Sequence, residues 1–167
     1  NLKTASLPTT LTVIKRSAFM PHIDEYLSHE VLNGLTELRI PERVAELGVN
    51  AFAGTAIKSV TVPSSVVTVG AMVFTECQNL ETVRYGGKII SDRMFARCIR
   101  LKNLTLTKSV REIVGGCFNY CESLKMITYE GSIADWNAVK KNNNWDGHSN
   151  STTETPLTKI QCLDGYM

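Results

Sequence analysis

The chain has 167 residues, of which 43% are hydrophobic and 20% charged, with 18 Lys and Arg against 16 Asp and Glu. That length buries a sizeable core as one domain or one compact repeat array, with no need for disulfide staples. A formal net charge of +2 falls short of the concentrated basic patch that nucleic-acid binding requires, and no apolar run reaches the roughly 18–20 residues of a membrane span. The start has neither a Met nor a signal-type apolar stretch, as expected of a mature or trimmed fragment.

Taken in chain order, one pattern recurs. It opens with Leu2, Ala5, Leu7, Pro8, Leu11, Ile14, Ala18 and Phe19. It returns as Leu35, Leu38, Ile40, Pro41, Val44, Leu47, Gly48, Ala51 and Phe52, and again as Ile57, Val60, Val62, Pro63, Val66, Val69, Gly70, Phe74 and Cys77. A looser copy follows with Leu80, Val83, Tyr85, Ile90, Phe95 and Cys98, then a fuller one with Leu101, Leu104, Leu106, Val110, Ile113, Phe118 and Cys121. The opening element L-x-x-V-x-V is anchored at Leu2, Leu35, Ile57, Leu80, Leu101, Leu124 and Leu157, in steps of 33, 22, 23, 21, 23 and 33 residues. A period of about 20–29 residues with this spacing indicates leucine-rich repeats, each laying one short parallel strand beside the next.

Alternation sorts the side chains. Val60 and Val62 point inward and Thr61 outward, and Pro63 ends the strand because it has no N–H for the ladder. Gly70 marks a left-handed or tightly packed bend. The A-F-x-x-C segment is expected to make a short helical or 3-10 turn, setting Phe19, Phe52, Phe74, Phe95 and Phe118 in one column. Residues 20–34 interrupt the pattern. Ile23, Tyr26, Leu27 and Val31 share one helical face there, and Asn33 and Gly34 supply a stop. A second helix is expected over 133–141 with Trp136 and Val139 inward, then a polar loop over 142–155.

The string L-x-x-V-x-I-P-x-S-V-x-x-I-G-x-x-A-F-x-x-C resembles the BspA-like, or Treponema-type, leucine-rich repeats of bacterial surface proteins. Residues 60–70 with Phe74 and Cys77 carry it best, as do residues 104–114 with Phe118 and Cys121. The segment from Ile127 through Trp136 and Val139, with Trp145, Ile160, Cys162 and Gly165, looks like the unit that closes such arrays. The fourth copy departs from the pattern: Gly86 and Gly87 replace the Pro and shorten the middle.

The expected fold is therefore an α/β repeat, a right-handed leucine-rich-repeat solenoid with one parallel sheet of about seven short strands, short helical or 3-10 turns and two inserted helices. It forms one domain over 1–167: an N-terminal repeat with its helical insertion (1–34), core repeats (35–123) and a C-terminal capping unit (124–167).

Catalytic chemistry finds little to stand on. Cys77, Cys98 and Cys121 each follow the repeat Phe by three residues and read as packed thiols, while Cys117 and Cys162 take other inward positions. No C-x-x-C occurs, so no zinc site is expected, though a Cys117–Cys121 or inter-coil bridge stays open. His29 lacks the second His that a zincin helix needs; His22 and His29, seven apart, could share a helical face but read as a solvated surface pair, and no nucleotide-binding or hydrolase motif follows a strand.

The candidate site is the exposed strand face, with Glu37, Arg39, Ser59, Thr61, Thr82, Arg84, Asn103, Thr105, Met126 and Thr128. Seven strands about 4.8 Å apart span roughly 29 Å, enough for a protein or peptide segment. This face is rich in hydroxyls, which suit exposed strands on β-propensity alone, and it lacks aromatic platforms. Trp136 is expected in the core and Trp145 exposed. The resemblance implies a non-enzymatic protein–protein interaction module of a secreted or cell-surface bacterial protein with an unidentified protein partner; charge and hydropathy argue against nucleic acid and membrane insertion, no cofactor or metal is expected, and the oligomeric state stays open with a monomer favoured. Adhesion to host or matrix proteins is one such role. A structural spacer and a carbohydrate- or cell-wall-binding module near Trp136 and Trp145 are the alternatives.

Overall fold

The computed structural model describes residues 3–21, 35–146 and 159–167. The elements follow the repeat. In chain order they are β1 (Thr4–Ala5), β2 (Val13–Ile14), β3 (Glu37–Leu38), β4 (Glu46–Leu47), β5 (Ser59–Val62), β6 (Thr68–Val69) and β7 (Thr82–Tyr85). There follow β8 (Ile89–Ile90), β9 (Asn103–Thr107), β10 (Glu112–Ile113), β11 (Met126–Glu130), α1 (Ile133–Asn137), β12 (Lys140–Lys141), β13 (Lys159–Cys162) and β14 (Gly165–Tyr166). The described residues form repeated coils of mostly parallel strands with very little helix.

The expected single sheet of seven strands does not form. Hydrogen bonding divides that side into a two-stranded ladder, β1–β3, and a six-stranded one running β5–β7–β9–β11–β13–β14, whose last strand is antiparallel. Nor is the opposite side made only of turns. Its two-residue strands form the ladders β2–β4–β6 and β8–β10–β12. The gap between β6 and β8 falls at the shortened fourth copy, where the Ser91 hydroxyl donates to the Gly70 carbonyl at 2.6 Å.

The A-F-x-x-C segments are neither helix nor 3-10 helix but hydrogen-bonded turns, because alternate amides leave for the next coil. Phe52 N–H donates to Val73 O and Gly54 N–H to Thr75 O, while Ala53 and Thr55 bond back three residues. Alternating bonds of this kind require left-handed residues two before and two after each Phe: Asn50 and Gly54, Met72 and Glu76, Arg93 and Arg97, Gly116 and Tyr120. In this way a segment that would otherwise close a helix on itself is stitched to its neighbour.

The core follows from the repeat. Phe19, Phe52, Phe74, Phe95 and Phe118 stack nearly parallel, with successive centroids 5.2, 5.4, 5.6 and 6.0 Å apart. The Cys77, Cys98 and Cys121 thiols donate at 3.1–3.2 Å to the carbonyls of Phe52, Phe74 and Phe95 in the preceding coils. Thr55 fills the same position one coil earlier. The Ser of the P-x-S-V element also has a bonding role: Ser65 donates to Val44 O and Ser109 to Gly86 O. Gly70 is needed for close approach rather than for a left-handed backbone, since a Cβ there would lie 2.4 Å from Val49 N.

Two copies carry an inward Tyr instead of a smaller residue, and each is followed two residues later by Gly. A Cβ on Gly87 would meet the Tyr85 hydroxyl oxygen at 2.6 Å, and one on Gly131 the Tyr129 ring at 2.5 Å. The glycines vacate the volume that the rings fill, and the Tyr85 hydroxyl donates to Ile89 O.

The helix expected over 133–141 ends at Asn137. Ser132 and Asp135 form a capping box at its start, and these Ser132 bonds, backbone first, hold the Asp135 carboxyl below its usual range. Lys140 and Lys141 leave the helix because they pair with Glu112 and Ile113, continuing the repeat ladder. The insertion helix expected over 20–34, with His22 and His29, lies outside the described residues apart from its first two positions, as do His148 and most of the 142–155 loop.

Candidate functional site

Register decides what the strand face presents. Thr61, Arg84, Thr105, Thr128, Gln161 and Tyr166 stand side by side across six strands. Ser59, Thr82 and Asn103 form a second row, and Met126 pairs with Lys159. All but Thr105, Thr128 and Gln161, which are half-buried, are exposed. The ladder thus brings eight of the ten expected residues onto one surface, from Ser59 to Thr128. Glu37 and Arg39 sit apart on the β1–β3 ladder, with Thr4 opposite Glu37.

Charge differs along this surface. Near its middle the Arg84 guanidinium on β7 reaches across β9 to the Glu130 carboxylate on β11 and forms an ion pair. At the β1–β3 end, Glu37 and Arg39 line a groove of about 860 Å³ together with Glu42 and Arg43. Thr4, Ser6, Thr9, Thr10 and Ser59 supply hydroxyls to its walls. Among the described residues, none of these four charges makes an ion pair.

Two parts of this surface escape the repeat pattern. Thr9, Thr10, Glu42 and Arg43 lie in the turns after the strands, where spacing does not reveal which side chains converge. Tyr166, 63% exposed, joins the face through the antiparallel β14, so an aromatic does stand at its far end. Asp164 and Gly165, beside the two-residue loop, are the turn signal that points to this hairpin.

The expectation that Trp145 is exposed is overturned. Its ring closes the Phe column edge-on, 6.4 Å from Phe118, and meets Trp136 at 5.7 Å. Trp136 is buried against Tyr129, and the Lys141 amine lies 4.6 Å over its ring while donating to Trp136 O and Val139 O. Trp136 is thus buried, and Trp145 half-buried against it.

All five cysteines are free and buried. Burial pushes the Cys77 thiol up to about 11 and the Cys121 thiol up to about 12, and raises Cys98 and Cys117 as well. Such thiols are poor nucleophiles and poor metal ligands near neutral pH. Among the described residues, no group of three or more His, Cys, Asp or Glu is placed to hold a metal, and no helix is long and apolar enough to cross a membrane.

A stacked-coil scaffold with a polar, outward-facing strand row is the architecture of a repeat protein. The sequence model of the BspA-type leucine-rich repeat region matches six copies over residues 22–140, and the chain belongs to that family. A comparison with curated proteins finds no match.

Among solved structures, a leucine-rich repeat protein from Bacteroides ovatus is similar at 17% identity and a TM-score of 0.57, over 95% of this chain and 47% of that one. Another, from Eubacterium ventriosum, is similar at 20% identity and a TM-score of 0.55, over 77% and 36%. A leucine-rich cell surface protein from Faecalibacterium prausnitzii is 26% identical over 70% and 37%, with a TM-score of 0.47. The chain thus spans about half the length, or less, of these solved structures.

Proposed function

We propose that this chain is a non-enzymatic protein-interaction module of a secreted or cell-surface bacterial protein, folded as one unit over 1–167, with the strand face as its contact surface. The observation that carries this reading is the row from Thr61 to Tyr166, which places six outward side chains in line on six hydrogen-bonded strands. Parallel pairing and the Phe stack hold these groups before any partner arrives, so binding costs little ordering entropy. Repeat scaffolds commonly use such extended faces for recognition, and the resemblance to BspA-like surface proteins favours an exported location and a role in adhesion. The site residues are Glu37, Arg39, Ser59, Thr61, Thr82, Arg84, Asn103, Thr105, Met126 and Thr128, with Tyr166 added. The carbohydrate reading is weakened by the burial of Trp136 and by the packing of the half-buried Trp145 against it.

The test is a binding screen of the purified chain against arrayed matrix proteins and glycans, repeated with Arg39, Thr61 and Arg84 changed together to Glu. A protein hit lost in the triple variant supports the strand-face reading. A glycan hit indifferent to it refutes that reading, and silence on both arrays leaves the spacer role.

A further inference from the structure

Resting on that reading, we propose that the groove at β1 and β3 receives an extended polypeptide segment carrying one acidic and one basic side chain two residues apart. Glu37 and Arg39 occupy alternate positions of one extended run, so they face the same way about 6.6 Å apart. An extended partner repeats its own side chains at the same interval and meets both charges at once. The groove's four charges, Glu37, Arg39, Glu42 and Arg43, cancel, so a uniformly acidic or basic polymer meets as much repulsion as attraction. A segment of mixed sign gains from every contact and avoids like-charge juxtaposition.

Contrast with the rest of the face supports this assignment. Arg84 already has its counter-ion in Glu130, whereas the groove charges have none among the described residues. The groove reaches from β1 across β3 to Ser59 at the start of β5, two inter-strand steps or roughly 10 Å, which is wide enough for one extended chain lying along β3. Its hydroxyl walls can donate to and accept from a peptide backbone. Among the described residues no aromatic ring lines it.

The test uses the 1–167 chain and four fluorescent ten-residue peptides on a Ser/Thr/Val background, holding Glu-x-Lys, Lys-x-Glu, Glu-x-Glu or Lys-x-Lys. Anisotropy titration should show one mixed-charge order binding at least tenfold more tightly than both uniform peptides. Exchanging the two charges in the double variant Glu37→Arg, Arg39→Glu should reverse the preferred order. Glu37→Gln and Arg39→Gln should each weaken binding even if the double variant folds poorly, as a thermal melt would reveal. Raising salt to about 1 M, where screening acts within about 3 Å, should remove most of the affinity.

A uniform peptide binding most tightly, an order preference unmoved by the exchange, or no binding by any peptide overturns the proposal. Array hits lost on changing Thr105 and Thr128 to Glu, yet untouched by the groove exchange, would sink the groove and leave the interaction module standing. No array hit and no peptide binding would sink both.

Discussion

From β7 to β13 the face strands run four or five residues and pair with neighbours on both sides, and the central Arg84 and Glu130 neutralise each other. At β1 and β3 they run two residues, the ladder stops before β5, and four charges around the groove are unpaired among the described residues. Both regions derive from the same repeat. The difference shows how a stacked protein divides its tasks. A coil with two neighbours invests its polar groups in the stack, and a coil near the end keeps some of them for contacts outside it. Stability in such proteins is close to a sum of neighbour interfaces, so the groove should be the softer and more adaptable part.

The largest effect expected is on the aromatic column. Phe74→Ala should cost ~3–5 kcal/mol in urea titration, because Phe74 is fully buried between two stacked rings. Phe19→Ala should cost less than half as much, since that ring is half-buried and, among the described residues, stacks on one side only. Equal losses would erase the proposed gradient between the regions.

Alkaline pH should attack the central coils through their thiols. Above the ordinary thiol value near 9 the unfolded chain ionises, while burial keeps Cys77 protonated up to about 11 and Cys121 up to about 12. The folded state then binds more protons, so stability falls as pH rises through that window. Melting temperatures measured from pH 8 to 11 should decline, and a Cys77→Ser, Cys121→Ser variant should decline less steeply. The same thiols should resist a disulfide reagent at pH 8 until urea opens the fold.

Next comes the room that glycine leaves for tyrosine. Gly87→Ala should destabilise by ~1–3 kcal/mol through overpacking against Tyr85. In a Tyr85→Val background the same change should cost under ~0.5 kcal/mol, a coupling that a double-mutant cycle would read. Additive effects would show that the ring and the glycine are independent. Met72→Gly should go the other way and stabilise by ~0.5–1 kcal/mol, because relief of a left-handed non-glycine residue exceeds the added chain entropy.

The smallest effect sharpens the comparison most directly. Arg84→Ala should cost only ~0.2–1 kcal/mol, as for other exposed pairs, while Arg39→Ala should leave stability unchanged and act only on binding. A stability loss at Arg39 would mean that the groove charges serve the fold.

Much of this organisation is legible in one dimension. Because side chains alternate along a strand, the L-x-x-V-x-V spacing identifies Val60, Val62, Leu104 and Leu106 as inward and Thr61, Arg84 and Thr105 as outward. The recurrence of Phe and Cys at one period foretells their columns, since equal spacing in stacked coils means equal height. Helix length was less legible: residues 133–141 have a helical pattern, but Lys140 and Lys141 are drawn into the ladder by β10. No local signal carries that competition.

By itself the sequence determined the repeat, its period, the inward set and the family, because these depend on periodicity, which is a property of the chain alone. Tertiary structure decided where the sheets divide, why Gly87 and Gly131 follow Tyr85 and Tyr129, how a half-buried Trp145 closes the column, and which charges pair. Each of these depends on the distance between groups in different coils, such as Arg84 and Glu130 or Phe118 and Trp145. A one-dimensional pattern specifies direction from the backbone, whereas pairing and closure follow from the shapes that neighbouring coils present to each other.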